Sequence, residues 1–355
     1  MQTRQIEMVL AGKRILVTGG TGSLGQVLVR RLLSGEMGRP RSITVFSRDE
    51  AKQHYMRLAF LQKKEATDDI IYENSRQLLN FRIGDVRDYA AFLAALRSAD
   101  VVFNAAALKQ VPTCEYFPFE AVQTNIIGAN NLVRAIRENA LDIETVVGIS
   151  TDKACKPINV MGMTKALQER VLLEANMDCS STKFVCVRYG NVIASRGSIV
   201  PLFVEQIKAG GPVTITLPEM TRFLLSLDRA VDTVFAAVRE GERGDTYVPQ
   251  VPSAKVTDAA QALMQLQSKK VEMTFTGIRP GEKVHEIMVS EEECFRTSER
   301  NGYYVIHSVL PEVRPEEAGF QPALQGEYSS ANNNISISQL QELLYNASSE
   351  IAAFK

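Results

Sequence analysis

Three stretches of this 355-residue sequence combine residue types that can hold a polar ligand or move protons. The first is Thr18-Gly19-Gly20-Thr21-Gly22-Ser23-Leu24-Gly25, set between the apolar run RILV and the helix-like run LGQVLVRRLL. In that context a glycine loop is a dinucleotide-binding signature. Gly19 or Gly20 makes the tight turn, Gly22 lets backbone approach a pyrophosphate, and Gly25 lets helix and strand touch. The helix N-terminus offers N–H donors to the phosphates, and Thr21, Ser23 and Leu24 complete the cradle. The second stretch is Ser150-Thr151-Asp152-Lys153, directly after another apolar run. A carboxyl beside an amine can act as proton donor and acceptor if their surroundings tune them in opposite directions. The third is Met161-x-x-x-Lys165, which sets thioether and amine on one helix face, one turn apart.

The cofactor reading extends along the chain. Roughly 20 residues beyond the glycine loop, an NAD site places an acid against the ribose 2′-hydroxyl. Here the second apolar run ends Ser47-Arg48-Asp49. Arg48 offers a planar fork to a 2′-phosphate and Ser47 a hydroxyl donor, which favours NADP, while Asp49 keeps NAD in play. Asp85-Val86 suits an adenine edge. Ala105, Ala106 and Ala107 are small enough to let a dinucleotide pass.

These residues need a scaffold that brings strand ends together. Apolar runs at 14–18, 42–47, 79–83, 100–104, 145–150 and 183–188 alternate with helix-like segments at 24–34, 50–64, 89–98, 120–139 and 159–176. The alternation predicts an α/β fold, a Rossmann doubly wound parallel sheet. After about residue 190 prolines and glycines break the rhythm, predicting a smaller substrate-binding α+β domain over the carboxyl edge of the sheet. The expected division is 1–190 for the NADP-binding Rossmann domain and 191–355 mainly for substrate, with a segment at about 225–250 returning to the first. Residues 63–78 read as a polar surface excursion, and 329–334 as a loop before a last helix at 336–346. The apolar helices at 91–96 and 121–136 could offer an interface, but core packing is the simpler reading.

Composition narrows the function classes. Hydrophobic residues make up 45% and charged residues 23%, and 40 basic against 41 acidic side chains leave a net charge of -1. That balance gives no electrostatic reason to expect nucleic acid or an anionic membrane as partner. No apolar run approaches the ~18 to 20 residues of a membrane span, and the first 14 residues lack a signal core. Five scattered cysteines without a CxxC pair fit a reducing cytoplasm. Three histidines far apart predict no protein-ligated metal.

Taken in order, TGGTGSLG, FSRDE, GDVRD, NAAALKQVP, STDKA with PIN, RYGNVIASRGSIVPLF, MTRF and GIRPGEK span nearly the whole chain. The set resembles the extended short-chain dehydrogenase/reductases, and within them the inverting, capsule-type UDP-N-acetylglucosamine 4,6-dehydratases of bacterial polysaccharide synthesis. The chain departs from the superfamily's Tyr-x-x-x-Lys in having Met161 where the catalytic phenol stands, and methionine cannot be a general base. Some capsule-type enzymes share that methionine and keep the Asp-Lys pair, so the departure reads as a rerouted proton path.

The resemblance implies hydride transfer from sugar C4 to a tightly bound NADP, C5 deprotonation by Lys153, protonation of the leaving C6 hydroxyl by Asp152, and hydride return to C6. Lys153 is then expected to have a lowered pKa and Asp152 a raised one. Lys165 should bond the nicotinamide ribose, with Tyr189 and Gly190 bordering the nicotinamide. Thr151 or a held water would carry the O4 proton. For the substrate, UDP-GlcNAc, the resemblance implies Arg222 and Arg279 on the diphosphate and Glu282 on a ribose hydroxyl. It places Lys109 near the sugar and cofactor, Asn191 at the sugar or a phosphate, Arg196 and Ser198 to Phe203 around the nucleotide, and Thr214 to Thr216 about the uracil. Similar enzymes are multimers, so a homo-oligomer is expected, with a hexamer as its first candidate. The alternatives are a nucleotide-sugar 4-epimerase, which needs no Asp-Lys dehydration pair, and a catalytically silent NADP-sensing protein, motivated by Met161.

Overall fold

The computed structural model describes residues 8–61, 78–193, 198–314 and 320–347. Six apolar runs form the strands β1 (Arg14–Thr18), β2 (Ser42–Ser47), β3 (Leu79–Ile83), β4 (Val101–Asn104), β5 (Thr145–Ile149) and β6 (Lys183–Val187). They lie in the order β3-β2-β1-β4-β5-β6, all parallel. Thr246–Pro249 extends the sheet in parallel beyond β6, and the hairpin Thr297–Arg300/Tyr303–Ile306 closes that edge antiparallel. Every residue of β4 and β5 is buried, as a strand covered on both faces requires. The strand order reverses between β1 and β4, which opens a crevice over their carboxyl ends.

Two apolar cores explain why the strands read as continuous hydrophobic runs. On one face, α1 (Ser23–Ser34) packs with the helix Leu227–Glu240 around Leu28, Val45, Val147 and Val234. On the other, helices Tyr89–Leu96, Gly128–Glu138 and Val160–Asp178 pack around Phe92, Leu132, Leu172 and Phe184. The apolar residues of the helices at 91–96 and 121–136 thus serve the core, with Phe92, Leu96 and Leu132 fully buried. A third, smaller core gathers Ile199–Ala209, Val256–Leu266 and Ile337–Asn346 around Phe203, Ile215 and Leu340. The segment expected as a polar excursion, 63–78, lies outside the described residues except for its last position. Among the described residues no helix is long and apolar enough to cross a membrane.

A buried arginine ties the elements that carry the site. Arg188, just past β6, donates to both oxygens of Glu169 on the helix Val160–Asp178, at 3.2 and 2.7 Å. It also donates to both oxygens of Glu293 at 2.8 and 3.1 Å, and to the Met288 carbonyl at 2.7 Å. All five donors of a guanidinium are matched in this way. Burial works against the charge of Glu293, but Arg188 overrides it and brings the carboxyl down to about 2. The stability this pair contributes is therefore present above the ordinary carboxylate pKa of about 4.3 and is lost as pH falls toward about 2. Arg188→Ala should destabilise the fold by about 3 to 5 kcal/mol at neutral pH, because two buried carboxylates lose their partner. Urea unfolding should show that deficit shrink as the pH is lowered. A deficit independent of pH would mean that lost packing, not charge, is responsible.

Candidate active site

A cleft of about 620 Å³ lies over the carboxyl ends of β1, β2, β4, β5 and β6. Its upper wall is the glycine loop. Gly19 has φ +64°, and a Cβ there would stand 2.8 Å from the Ala106 backbone. At Gly25 a Cβ would lie 2.5 Å from the Gly20 Cα, so neither position accepts a side chain unless backbone moves. Thr18 Oγ1 donates to Asn104 Oδ1 at 2.9 Å and accepts from Ala106 N–H at 3.1 Å, locking the ends of β1 and β4 together. Helix α1 begins after Gly22 without a side-chain cap and without an acid in its first turn. Its first N–H groups stay available, and the loop fits a pyrophosphate. Thr21, Ser23, Leu24 and the Ala105–Ala107 run all line the cleft.

At the far end of the cleft the two candidate recognition groups are engaged differently. Asp49 caps α2 (Glu50–Leu61) by accepting Lys52 N–H at 2.9 Å, and its other oxygen holds Lys52 Nζ at 2.5 Å. That bond, with the backbone N–H, holds the Asp49 carboxyl below its usual range. Arg48 is half exposed, with Nη1 3.6 Å from Asp85 Oδ2. Asp85 is held mainly by Arg87, through its backbone N–H at 3.0 Å and Nε at 2.8 Å. Ser47 Oγ accepts from Gln53 at 3.0 Å, which leaves its own proton to donate. Val86 and Lys52 border the same end.

At the other end the Asp-Lys pair is folded inward. The chain leaves β5, Thr151 adopts extended backbone, and Asp152–Ala154 forms a short 3-10 turn. Asp152 N–H donates to the Tyr189 carbonyl at 3.0 Å. The Asp152 side chain is 0% exposed. Its Oδ1 accepts from Thr151 Oγ1 at 2.8 Å and from Lys153 Nζ at 3.1 Å, while Oδ2 has no hydrogen-bond partner. Burial pushes the Asp152 carboxyl up; Lys153 opposes this, Glu286 adds to it, and the net direction is up. Burial also acts to lower Lys153, but Asp152 and Glu286 outweigh it and hold the ammonium above its ordinary value. The expected lowering of Lys153 is therefore corrected. A second buried carboxylate, Glu286, has Oε1 3.2 Å from Lys153 Nζ.

Lys165 is buried on the helix Val160–Asp178, and desolvation lowers it to about 8 against the opposing charge of Glu169. Its Nζ donates to the Ile149 carbonyl at 2.5 Å and to Gln168 at 2.6 Å, holding it at the cleft wall. Met161, one turn earlier, packs with Cys114 and Ala121. Asn159 caps this helix through Gly162 N–H at 2.8 Å and donates to the Gly281 carbonyl at 2.8 Å. The Arg279–Glu282 turn is thereby fixed to the helix that carries Met161 and Lys165.

Each residue expected at the cofactor or in the chemistry lines this cleft, as do Lys109, Asn191 and Ser198. The other substrate candidates stand outside its wall. Arg222 is buried and donates to the Thr221 and Val284 carbonyls at 2.7 and 3.1 Å, with Nε 3.9 Å from Glu286. Its guanidinium faces that carboxylate. Thr214 bonds Gln206 at 2.8 Å, Thr216 donates to Glu282 at 3.2 Å, and Arg279 is exposed. Arg196 lies outside the described residues. The sequence reading missed Lys52, Thr124, Ser150 and Glu286. Thr124 and Ser150 line the cleft with buried hydroxyls that have no partner. Lys52 had a signal in its i, i+3 spacing from Asp49, whereas Glu286 had none near the motif.

The polysaccharide biosynthesis protein family model matches residues 15–308. The chain belongs to that family. It is 41% identical to the UDP-glucose 4-epimerase of Rickettsia felis, over 94% of this chain and 96% of the relative. With the UDP-glucose 4-epimerase of Rickettsia akari it shares 44% over 83% and 82%. Among solved structures, Pen from Bacillus thuringiensis matches with a TM-score of 0.84 at 32% identity, covering 96% of this chain and 99% of that one. DesIV, a dTDP-glucose 4,6-dehydratase from Streptomyces venezuelae solved with NAD and TYD, matches at TM-score 0.62 and 19% identity over 76% and 86%. That likeness speaks for the fold alone. This polysaccharide biosynthesis family member thus has relatives named as nucleotide-sugar epimerases and shares the fold of nucleotide-sugar epimerase and dehydratase structures.

Proposed function

We propose that the chain is a 4,6-dehydratase that converts UDP-GlcNAc to a UDP-4-keto-6-deoxy-hexosamine, with inversion at C5, using tightly bound NADP. The observation that carries this reading is Asp152, a fully buried carboxyl with a raised pKa and an unpartnered oxygen, beside Lys153 on the cleft. An elimination needs an acid for the departing hydroxyl and a base for C5. Epimerisation at C4 needs only a group that handles the O4 proton. The epimerase reading stands second, favoured by the names of the Rickettsia relatives. Retention of Asp152, Lys153 and Lys165 argues against a silent sensor.

The nicotinamide cofactor supplies a hydride acceptor for C4 and a hydride donor for C6, so it ends as it began. The residues handle protons. Transfer of one proton from Lys153 Nζ to Asp152 Oδ1, 3.1 Å away, creates amine and acid together without changing net charge. Burial favours these uncharged forms. Lys153 then takes the C5 proton and Asp152 gives its proton to the C6 hydroxyl, which leaves as water. Lys153 returns a proton to C5. The O4 proton, released when C4 becomes a ketone, replaces the one lost in the water, and Thr151, already bonded to Asp152, is the side chain that returns it. Met161 fills space and carries no proton.

Arg48 and Ser47 support NADP over NAD, because the acid that would select NAD, Asp49, is committed to capping α2 and to Lys52. On this reading residues 1–190 hold the cofactor, and the later half mainly holds the nucleotide sugar. A homo-oligomer is supported by the exposed Tyr116, Phe117, Phe119, Met163 and Leu167, on helices that pack together. Action in the cytoplasm is supported by five buried free cysteines.

Arg48→Ala should weaken NADP binding by about 1.5 to 3 kcal/mol and leave NAD nearly unchanged, as calorimetry would show; equal losses would remove Arg48 from 2′-phosphate recognition. With UDP-GlcNAc and no added reductant, the wild type should accumulate a 4-keto sugar over many turnovers and gain deuterium at C5 in deuterated water. Lys153→Ala should abolish that exchange. Asp152→Asn should oxidise C4 and stall, leaving the reduced cofactor visible by absorbance. Normal turnover in Lys153→Ala would refute the assigned base.

A further inference from the structure

Glu286 comes from the far side of the cleft in sequence, beyond the Arg279–Glu282 turn, yet it reaches the Asp-Lys pair. It is 2% exposed. Oε1 lies 3.2 Å from Lys153 Nζ and 3.9 Å from Arg222 Nε, while Oε2 has no hydrogen-bond partner. Its backbone is pinned on both sides: Glu286 N–H donates to Ser330 Oγ at 2.9 Å, and Ser330 N–H donates to the Glu286 carbonyl at 2.8 Å. Ser330 is in turn bonded to Thr221 at 2.7 Å. Such a carboxylate has little freedom to turn away from Lys153.

We infer that Glu286 is a positioning residue of the acid-base centre: it stands behind Lys153, orients its amine and stabilises the ammonium formed as Lys153 accepts a proton. The arrangement parallels the carboxylate that stands behind the histidine of a hydrolytic triad, which orients the base and stabilises its charged form without itself taking the proton. The inference rests on the dehydratase reading for the role of Lys153. Glu286 stays charged in this setting. Burial pushes it up, but Lys153, Arg222 and Lys283 together bring it below the ordinary glutamate value. Its negative charge also repels a charge on Asp152 and so favours the protonated acid. One fixed anion thus makes Lys153 the stronger base and keeps Asp152 in its protonated form. The other groups facing the pair are Arg222, which lowers Lys153, and Lys283 and Tyr189, which interact with Asp152.

The test is Glu286→Gln, which keeps the shape and removes the charge, beside Glu286→Asp, which keeps the charge. Removing the anion lowers both Lys153 and Asp152, so both limbs of the kcat/KM profile against pH should move to lower pH by roughly one pH unit. At neutral pH kcat should fall on the order of 100-fold with KM within about twofold. Glu286→Asp should restore the positions of the limbs. An activity-independent measurement accompanies this: carbon NMR of carboxyl-labelled aspartate, with Asp152 assigned through Asp152→Asn. The Asp152 titration should move down in Glu286→Gln and return in Glu286→Asp. Limbs and titration unmoved in Glu286→Gln, or moved equally in both variants, would overturn the proposal and leave only a structural counter-ion for Arg222. If the wild type makes no 4-keto-6-deoxy sugar, the dehydratase reading fails, while the Asp152 titration still decides whether Glu286 sets the charge of the pair.

Discussion

Lys153, part-buried on the cleft, lies between two buried carboxylates, Asp152 and Glu286. An unpaired charge in such a place costs several kcal/mol, so the three groups hold one another in position. Asp152 is fixed by its backbone bond to the Tyr189 carbonyl after β6, and Glu286 by Ser330 and by the neighbourhood of Arg222. The centre therefore exists only when the strand ends of the main sheet and the later part of the chain are docked. A pair so placed can exchange its ion-pair form for an acid and an amine by moving one proton over 3.1 Å.

The glycine-loop end of the cleft obeys a different rule. There the cleft offers backbone N–H groups and exposed charges, and glycine is required because a Cβ at Gly19 would meet the Ala106 backbone and one at Gly25 the Gly20 backbone. The engagement of Asp49 by Lys52 removes an anion from the rim and leaves Arg48 to face solvent. The two ends are coupled through the helix Val160–Asp178. It carries Met161 and Lys165 toward the cleft, is anchored at Glu169 by Arg188, and is capped by Asn159, which also holds Gly281.

Local patterns in the sequence were legible because their physics is local. The glycine loop, the six strands and the spacing of Met161 and Lys165 each follow from a few consecutive residues, and the six strands form the parallel sheet that the alternation predicts. What depended on distant partners was not legible. Glu286 carries no signal near STDKA, and without it the pKa of Lys153 was expected to move the wrong way. Arg222, which the resemblance sets on the diphosphate, has its guanidinium against Glu286 and two carbonyls, contacts that no pattern near MTRF announces. Segment boundaries also shifted where the backbone departs from regular α-helix, as in the π-helical turn Val122–Ile127 that carries Thr124 into the cleft.

On the dehydratase reading, hydride removed at C4 returns at C6 of the same sugar. The most direct measurement is proton and deuterium NMR of the product made from UDP-GlcNAc deuterated at C4. The label should appear in the C6 methyl group of a 4-keto-6-deoxy sugar. Label retained at C4, in a mixture of the two C4 epimers with the C6 hydroxyl intact, would contradict it and establish the epimerase instead.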